Sequence, residues 1–202
     1  MAKNEEIEES RLVLVEGADL EYFLAGLLFH HGMRPGFQIF DFGGVDELRP
    51  SIKAFAAAPD FDRVDSLAVI RDAEGGPEAA ERSVLDAVRD AGLNPPPEPG
   101  EFSDPKPAVG TYILPNNEDP GMLETLCLNA VQEDPMMGCV DDFIDCLDDI
   151  GEIPSPEEKA RAYSFLATRN PPARLVGEGA HQGHWNLDHE AYEPLVDFLN
   201  EM

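Results

Sequence analysis

Three times within the first 91 residues a short apolar, β-branched run stops abruptly and gives way to a helical pattern, and that rhythm leaves very few folds open. Leu12-Val13-Leu14-Val15 ends in Glu16-Gly17-Ala18-Asp19. Phe37-Gln38-Ile39-Phe40-Asp41-Phe42 ends in Gly43-Gly44, and Leu67-Ala68-Val69-Ile70-Arg71 ends in Asp72-Ala73-Glu74-Gly75-Gly76. Runs this apolar, without polar alternation, read as strands buried on both faces of a parallel sheet. The segments between them read as crossover helices: 18–31, with Leu20, Phe23, Leu24, Leu27 and Leu28 inward; 45–58, with Leu48, Ile52, Phe55 and Ala56; and 77–91, with Ala80, Val84, Leu85 and Val88. Right-handed βαβ crossovers place such helices on both faces of the sheet.

The proline run Asn94-Pro95-Pro96-Pro97-Glu98-Pro99-Gly100 cannot continue a helix, so 94–107 is an extended loop. Val109 to Pro115 forms a fourth strand. Helical patterns follow at 121–133, 138–149, 156–168 and 188–201, and Ala173 to Glu178 is either a short strand or an extended link. The chain thus divides into an acidic, frayed start at 1–10, an α/β core at 11–133, and a helical extension at 134–202 packed on that core.

With 41 acidic residues against 14 basic ones the net charge is −27. A field of that sign repels nucleic-acid phosphates and membrane surfaces, so nucleic acid or a nucleotide is disfavoured as a partner unless a metal intervenes, and a basic protein is a compatible one. No run approaches the ~18 apolar residues of a membrane span, and the N-terminus is acidic where a signal peptide is basic, which points to the cytoplasm. Cys127, Cys139 and Cys146 are odd in number and lack a CxxC pairing, as expected of reduced thiols buried on helices.

In open α/β sheets ligands bind beyond the carboxyl ends of the strands, where this chain concentrates acids. Glu16 leaves the first strand directly, where a carboxylate is partly desolvated and either acquires a cation or shifts its pKa; the plainer reading is a Glu capping the next helix. Asp72 and Glu74, two residues apart on leaving the third strand, form a hard-oxygen pair suited to Mg²⁺ or Mn²⁺, the alternative being a solvated acidic loop. Gly17 and Gly75 let the backbone turn away without a Cβ clash. No GxGxxG and no Walker motif is present.

These turns resemble the Toprim domain of topoisomerases, primases, recombination proteins and the overcome-lysogenization-defect nucleases. The likeness lies in Val15-Glu16-Gly17-x-Asp19, Gly43-Gly44 and Ile70-x-Asp72-x-Glu74-Gly75, and covers about residues 11–91. Pro115 to Leu126, Glu158 to Tyr163 and His184-Trp185 look like small stand-alone Toprim-related proteins of uncharacterised function. The resemblance implies a three-layer Toprim or Rossmann-like fold with a mostly parallel sheet in the order 2-1-3-4. It also implies a general acid/base at Glu16, metal held at Glu16, Asp72 and Glu74, and Mg²⁺-dependent chemistry on phosphodiesters or nucleotide phosphates, nuclease-like hydrolysis above all. A non-enzymatic module that senses nucleotide or metal, or docks to a basic protein, is the alternative. Two departures stand out: the second acid is Glu74 rather than Asp, and the appended basic surfaces of larger relatives are missing.

Around this centre, Asp19 is an orienting residue and suits the dipole of the first helix. Glu124 completes the acidic cluster from the helix after strand four, or is an ordinary helical Glu. Lys159 stabilises charge in the transition state as a catalytic cation, or belongs to a solvated helix start. His181, His184 and His189 lie in a glycine-rich loop, and the His-x-x-His spacing does not match the i, i+4 pair of a zinc helix.

Overall fold

Along the strands, side chains alternate between two separate cores. Leu12, Leu14, Leu67, Val69, Val109 and Ile113 enter one, and Val13, Val15, Ala68, Ile70, Tyr112 and Leu114 the other. This period of two on strands buried on both sides makes a three-layer structure. The computed structural model describes residues 6–73 and 76–202; Glu74 and Gly75 lie outside them.

Strands β1 (Arg11–Val15), β2 (Phe37–Asp41), β3 (Ser66–Asp72) and β4 (Ala108–Leu114) form one parallel sheet in the order β2-β1-β3-β4, as expected. Val15 pairs with Ile70, and Ile70 with Tyr112, so the carboxyl ends of the central strands finish side by side. On one face lie α2 (Val45–Ala56) and α3 (Pro77–Asp90). On the other lies α1 (Ala18–His30), whose Leu20, Phe23, Leu24, Leu27 and Leu28 are all buried. It is joined there by α4 (Leu123–Asn129), α5 (Pro135–Asp149), α6 (Glu157–Ala167), α7 (Val176–His181) and α8 (Glu193–Asn200).

The C-terminal helices share their core with the sheet: Phe165, Trp185, Tyr192 and Phe198 sit in the cluster that holds Val13 and Phe23. The proline-rich loop is anchored too. Its Phe102 bridges to Gly110, where an added Cβ would approach the ring to 2.5 Å, and stacks on Phe198. No helix among the described residues is long and apolar enough to cross a membrane.

Three local expectations are corrected. Residues 6–10 do not fray: the Gln38 side chain accepts from the amides of Glu8 and Glu9 and donates to the Glu6 carbonyl, and Ile7 is buried. The segment read as a strand or link, 173–178, runs into helix α7 because its N-terminus finds a carboxylate 157 residues away, a partner that local pattern cannot reveal. Of the cysteines only Cys127 is buried; Cys139 and Cys146 lie on the outer face of α5.

Candidate functional site

The β1–α1 turn depends on Gly17, whose φ of 93° disfavours any side chain. Its amide donates to Oδ1 of Asp41 (2.8 Å), which also accepts from Gly43 (2.7 Å), so one carboxylate ties together the two glycine turns beyond β1 and β2. Asp19, whose charge acts on Glu124, also docks a distant helix. Its oxygens accept from the amides of Val176 (3.0 Å) and Gly177 (2.6 Å), capping α7 and docking it on α1. Contact there is so close that a Cβ on Gly177 would meet the Asp19 carbonyl at 2.7 Å.

Glu16 follows β1, and its Oε2 lies 3.2 Å from Nε of Arg71. Arg71 is only 2% exposed, a charge inside an otherwise apolar strand end. A guanidinium buried this far requires an anionic partner, and Glu16 supplies that charge, while the Arg71 Nε–H donates to the Asp72 carbonyl (3.4 Å). Sequence reasoning treated Arg71 as part of the strand; the available signal was a single charge in Leu67-Ala68-Val69-Ile70-Arg71.

Asp72 ends β3, and its Oδ1 accepts from the Leu123 amide at 3.0 Å, linking the strand end to the start of α4. Burial is the largest influence on this carboxyl and pushes its pKa up to about 7, opposed by the Leu123 hydrogen bond and reinforced by the charges of Glu124 and Glu16; Lys159 acts against them. Glu124 is 5% exposed, so it is not an ordinary surface residue. Burial raises its pKa as well, with Lys159 and the Tyr163 hydroxyl pulling it down and Asp19 pushing it up. Lys159 is exposed in the first turn of α6, where its charge acts on both acids.

Glu16, Glu124 and Lys159 all lie within electrostatic reach of Asp72, and Lys159 within reach of Glu124 as well. Glu74 and Gly75 fall outside the described residues. Among the described residues the acids of this edge do not close as a triad within 4.8 Å; the set that does is His30, His31 and Asp188, at the far end of α1. The donor chemistry at the edge still fits Mg²⁺, which takes one or two carboxylates and completes its octahedron with water and substrate oxygens. The histidines read as a glycine-rich loop are not all in one: His181 ends α7 and His189 caps the 3-10 turn at Glu190–Tyr192, and each of the three makes its own bond. His181 Nε2 bonds the Tyr22 carbonyl (3.0 Å), His184 Nε2 the Pro171 carbonyl (2.9 Å), and His189 Nδ1 accepts from the Ala191 amide (3.1 Å).

A family model described as "Protein of unknown function (DUF3226)" matches residues 10–202. No curated protein matches the chain. Among solved structures it is similar to the C-terminal region of the Xanthomonas campestris pv. campestris OLD protein. The form phased with platinum is 11% identical with a TM-score of 0.41, covering 96% of this chain and 98% of that one. The form phased with mercury is 12% identical with a TM-score of 0.42, covering 94% and 98%.

Proposed function

The chain belongs to this family, and from the chemistry of its sheet edge we propose that it is a Mg²⁺- or Mn²⁺-dependent hydrolase of phosphodiesters or nucleotide phosphates. The observation that carries this reading is Asp72: a carboxylate desolvated at the carboxyl end of a central strand, fixed by the Leu123 amide and crowded by Glu124 and Glu16. Such an arrangement is costly in itself and is relieved by a cation. The Toprim resemblance of Glu16-Gly17-x-Asp19 and Asp72-x-Glu74 supports it from the sequence.

In this reading Asp72, with Glu124 beside it and Glu74 following in sequence, holds the cation. When bound, Mg²⁺ supplies polarisation of a phosphoryl oxygen. Glu16, ion-paired with Arg71, takes the proton of the attacking water or returns one to the leaving oxygen. Lys159 balances charge on the phosphate. Incubating the protein with single- and double-stranded DNA, RNA and nucleotides, with Mg²⁺ or Mn²⁺ and with a chelator, is expected to give hydrolysis only with metal. Binding of one of these ligands without turnover overturns the hydrolase reading.

A second reading, docking to a basic protein, is favoured by α5. Met136, Cys139, Phe143, Cys146 and Ile150 are exposed at alternating spacings of three and four, the a/d seam of a coiled coil, while Met137, Val140 and Ile144 face the core. One margin of the seam carries the exposed acids Asp142, Asp145 and Asp149. Two copies of so acidic a helix repel each other, so the occupant that fits is an amphipathic helix with a Lys/Arg flank. A synthetic Lys/Leu amphipathic helix is expected to bind with an affinity that falls with salt and is lost in Phe143→Asp. Unchanged affinity in Phe143→Asp, or a concentration-dependent dimer that buries Phe143, sinks this occupant.

A further inference from the structure

We propose that His30, His31 and Asp188 form a binding site for a divalent transition cation, of the Zn²⁺, Co²⁺ or Ni²⁺ class. One ligand atom from each residue lies within 4.8 Å of the others. His30 is the last residue of α1 and His31 the next; their rings meet edge to face with centroids 5.0 Å apart. Both Nε2 atoms turn onto the same short segment, His30 to Oδ1 of Asp188 at 2.8 Å and His31 to the carbonyl of Leu187 at 3.1 Å.

The two imidazoles present N–H donors to two oxygens across separations close to the edges of a small coordination polyhedron. A tetrahedral ion with bonds of about 2.0–2.2 Å separates its ligand atoms by roughly 3.3 Å, so a cation opens the His30–Asp188 pair from 2.8 Å and draws His31, now within 4.8 Å, in toward them. A ring that carries its hydrogen on Nδ1 leaves Nε2 free to bind the ion. Two imidazole nitrogens select borderline transition ions over Mg²⁺ or Ca²⁺, which prefer oxygen alone. Because α1 spans 13 residues, this site stands about 20 Å from the acidic edge at the helix start. It bridges the end of α1 to the segment that leads into α8 and clamps the C-terminal helices to the core.

Titrating the whole chain with Co²⁺ or Zn²⁺ in excess Mg²⁺, which occupies the acidic edge, is expected to show a further site that raises the melting temperature, with ion affinity reduced at least about tenfold in His31→Gln and in Asp188→Asn. Asp188 is an exposed surface residue, so its variant tests the site without endangering the fold. Nitrogen-15 spectra are expected to show the His30 and His31 imidazoles shifting on metal addition while His181, His184 and His189 stay unmoved. The bound Co²⁺ spectrum lacks the thiolate charge-transfer band that Cys139 or Cys146 would contribute. Wild-type affinity in both variants, a thiolate band, or no binding by the wild type overturns the proposal; loss of binding in Asp72→Asn moves the ion to the acidic edge and overturns it equally.

Discussion

Asp72→Asn is expected to raise the melting temperature of the metal-free protein at pH 8 and to flatten its decline between pH 4 and pH 7. In the unfolded chain Asp72 releases its proton near 3.8, whereas in the folded chain burial holds the proton to about 7. Between those values the folded state carries a proton the unfolded state has lost, so stability falls as pH rises, by about 1.4 kcal/mol per pH unit at the steepest. Below the window both states are protonated and above it both are ionised, and the slope disappears. The accumulated cost by pH 8 is on the order of 2–4 kcal/mol, which in a chain of this size corresponds to roughly 5–10 °C. Asparagine is neutral throughout, and its Oδ1 can still accept from the Leu123 amide. Mg²⁺ is expected to restore stability to the wild type above pH 7 and to do nothing for the variant. Thermal unfolding followed by circular dichroism across pH, with and without Mg²⁺, measures both effects; an unchanged slope in Asp72→Asn contradicts the desolvated carboxylate.

The fold was legible because its signals are periodic and local. Uniformly apolar runs such as Leu12 to Val15 mark strands buried on both sides, and glycines at 17 and 43 mark where the chain turns away. Glu16, Asp72 and Glu124 stood out because acids at strand and helix ends next to such runs are conspicuous. What escaped the sequence depends on contacts between distant residues. Asp19 stands in the first turn of its own helix, as its position suggested, and its oxygens also cap α7, because amides at a helix start bond to whatever carboxylate the fold delivers. The Gln38 side chain pins residues 6–10 in the same way. Arg71 sits where alternation calls for an apolar residue, and only the structure shows Glu16 facing it. The histidines that drew attention by clustering in sequence went to separate partners, while His30 and Asp188, which the sequence keeps 158 residues apart, came together.

Glu16→Gln tests the central claim most directly. Glutamine keeps the shape of the side chain and its reach toward Arg71 but cannot carry the proton that hydrolysis must move. If Glu16 is the general acid/base, removing that capacity lowers the metal-dependent rate by about 10²–10⁴-fold while leaving Mg²⁺ affinity within a small factor, since Asp72 and its neighbours remain. Losing a ligand would weaken affinity and rate together and would place Glu16 on the metal. The decisive measurement is the single-turnover hydrolysis rate at saturating Mg²⁺ for wild type and Glu16→Gln, with Mg²⁺ affinity measured by calorimetry on the same samples. The expected result is a rate lower by two to four orders of magnitude at nearly unchanged affinity; equal rates in the two proteins would contradict a hydrolytic site at this edge of the sheet.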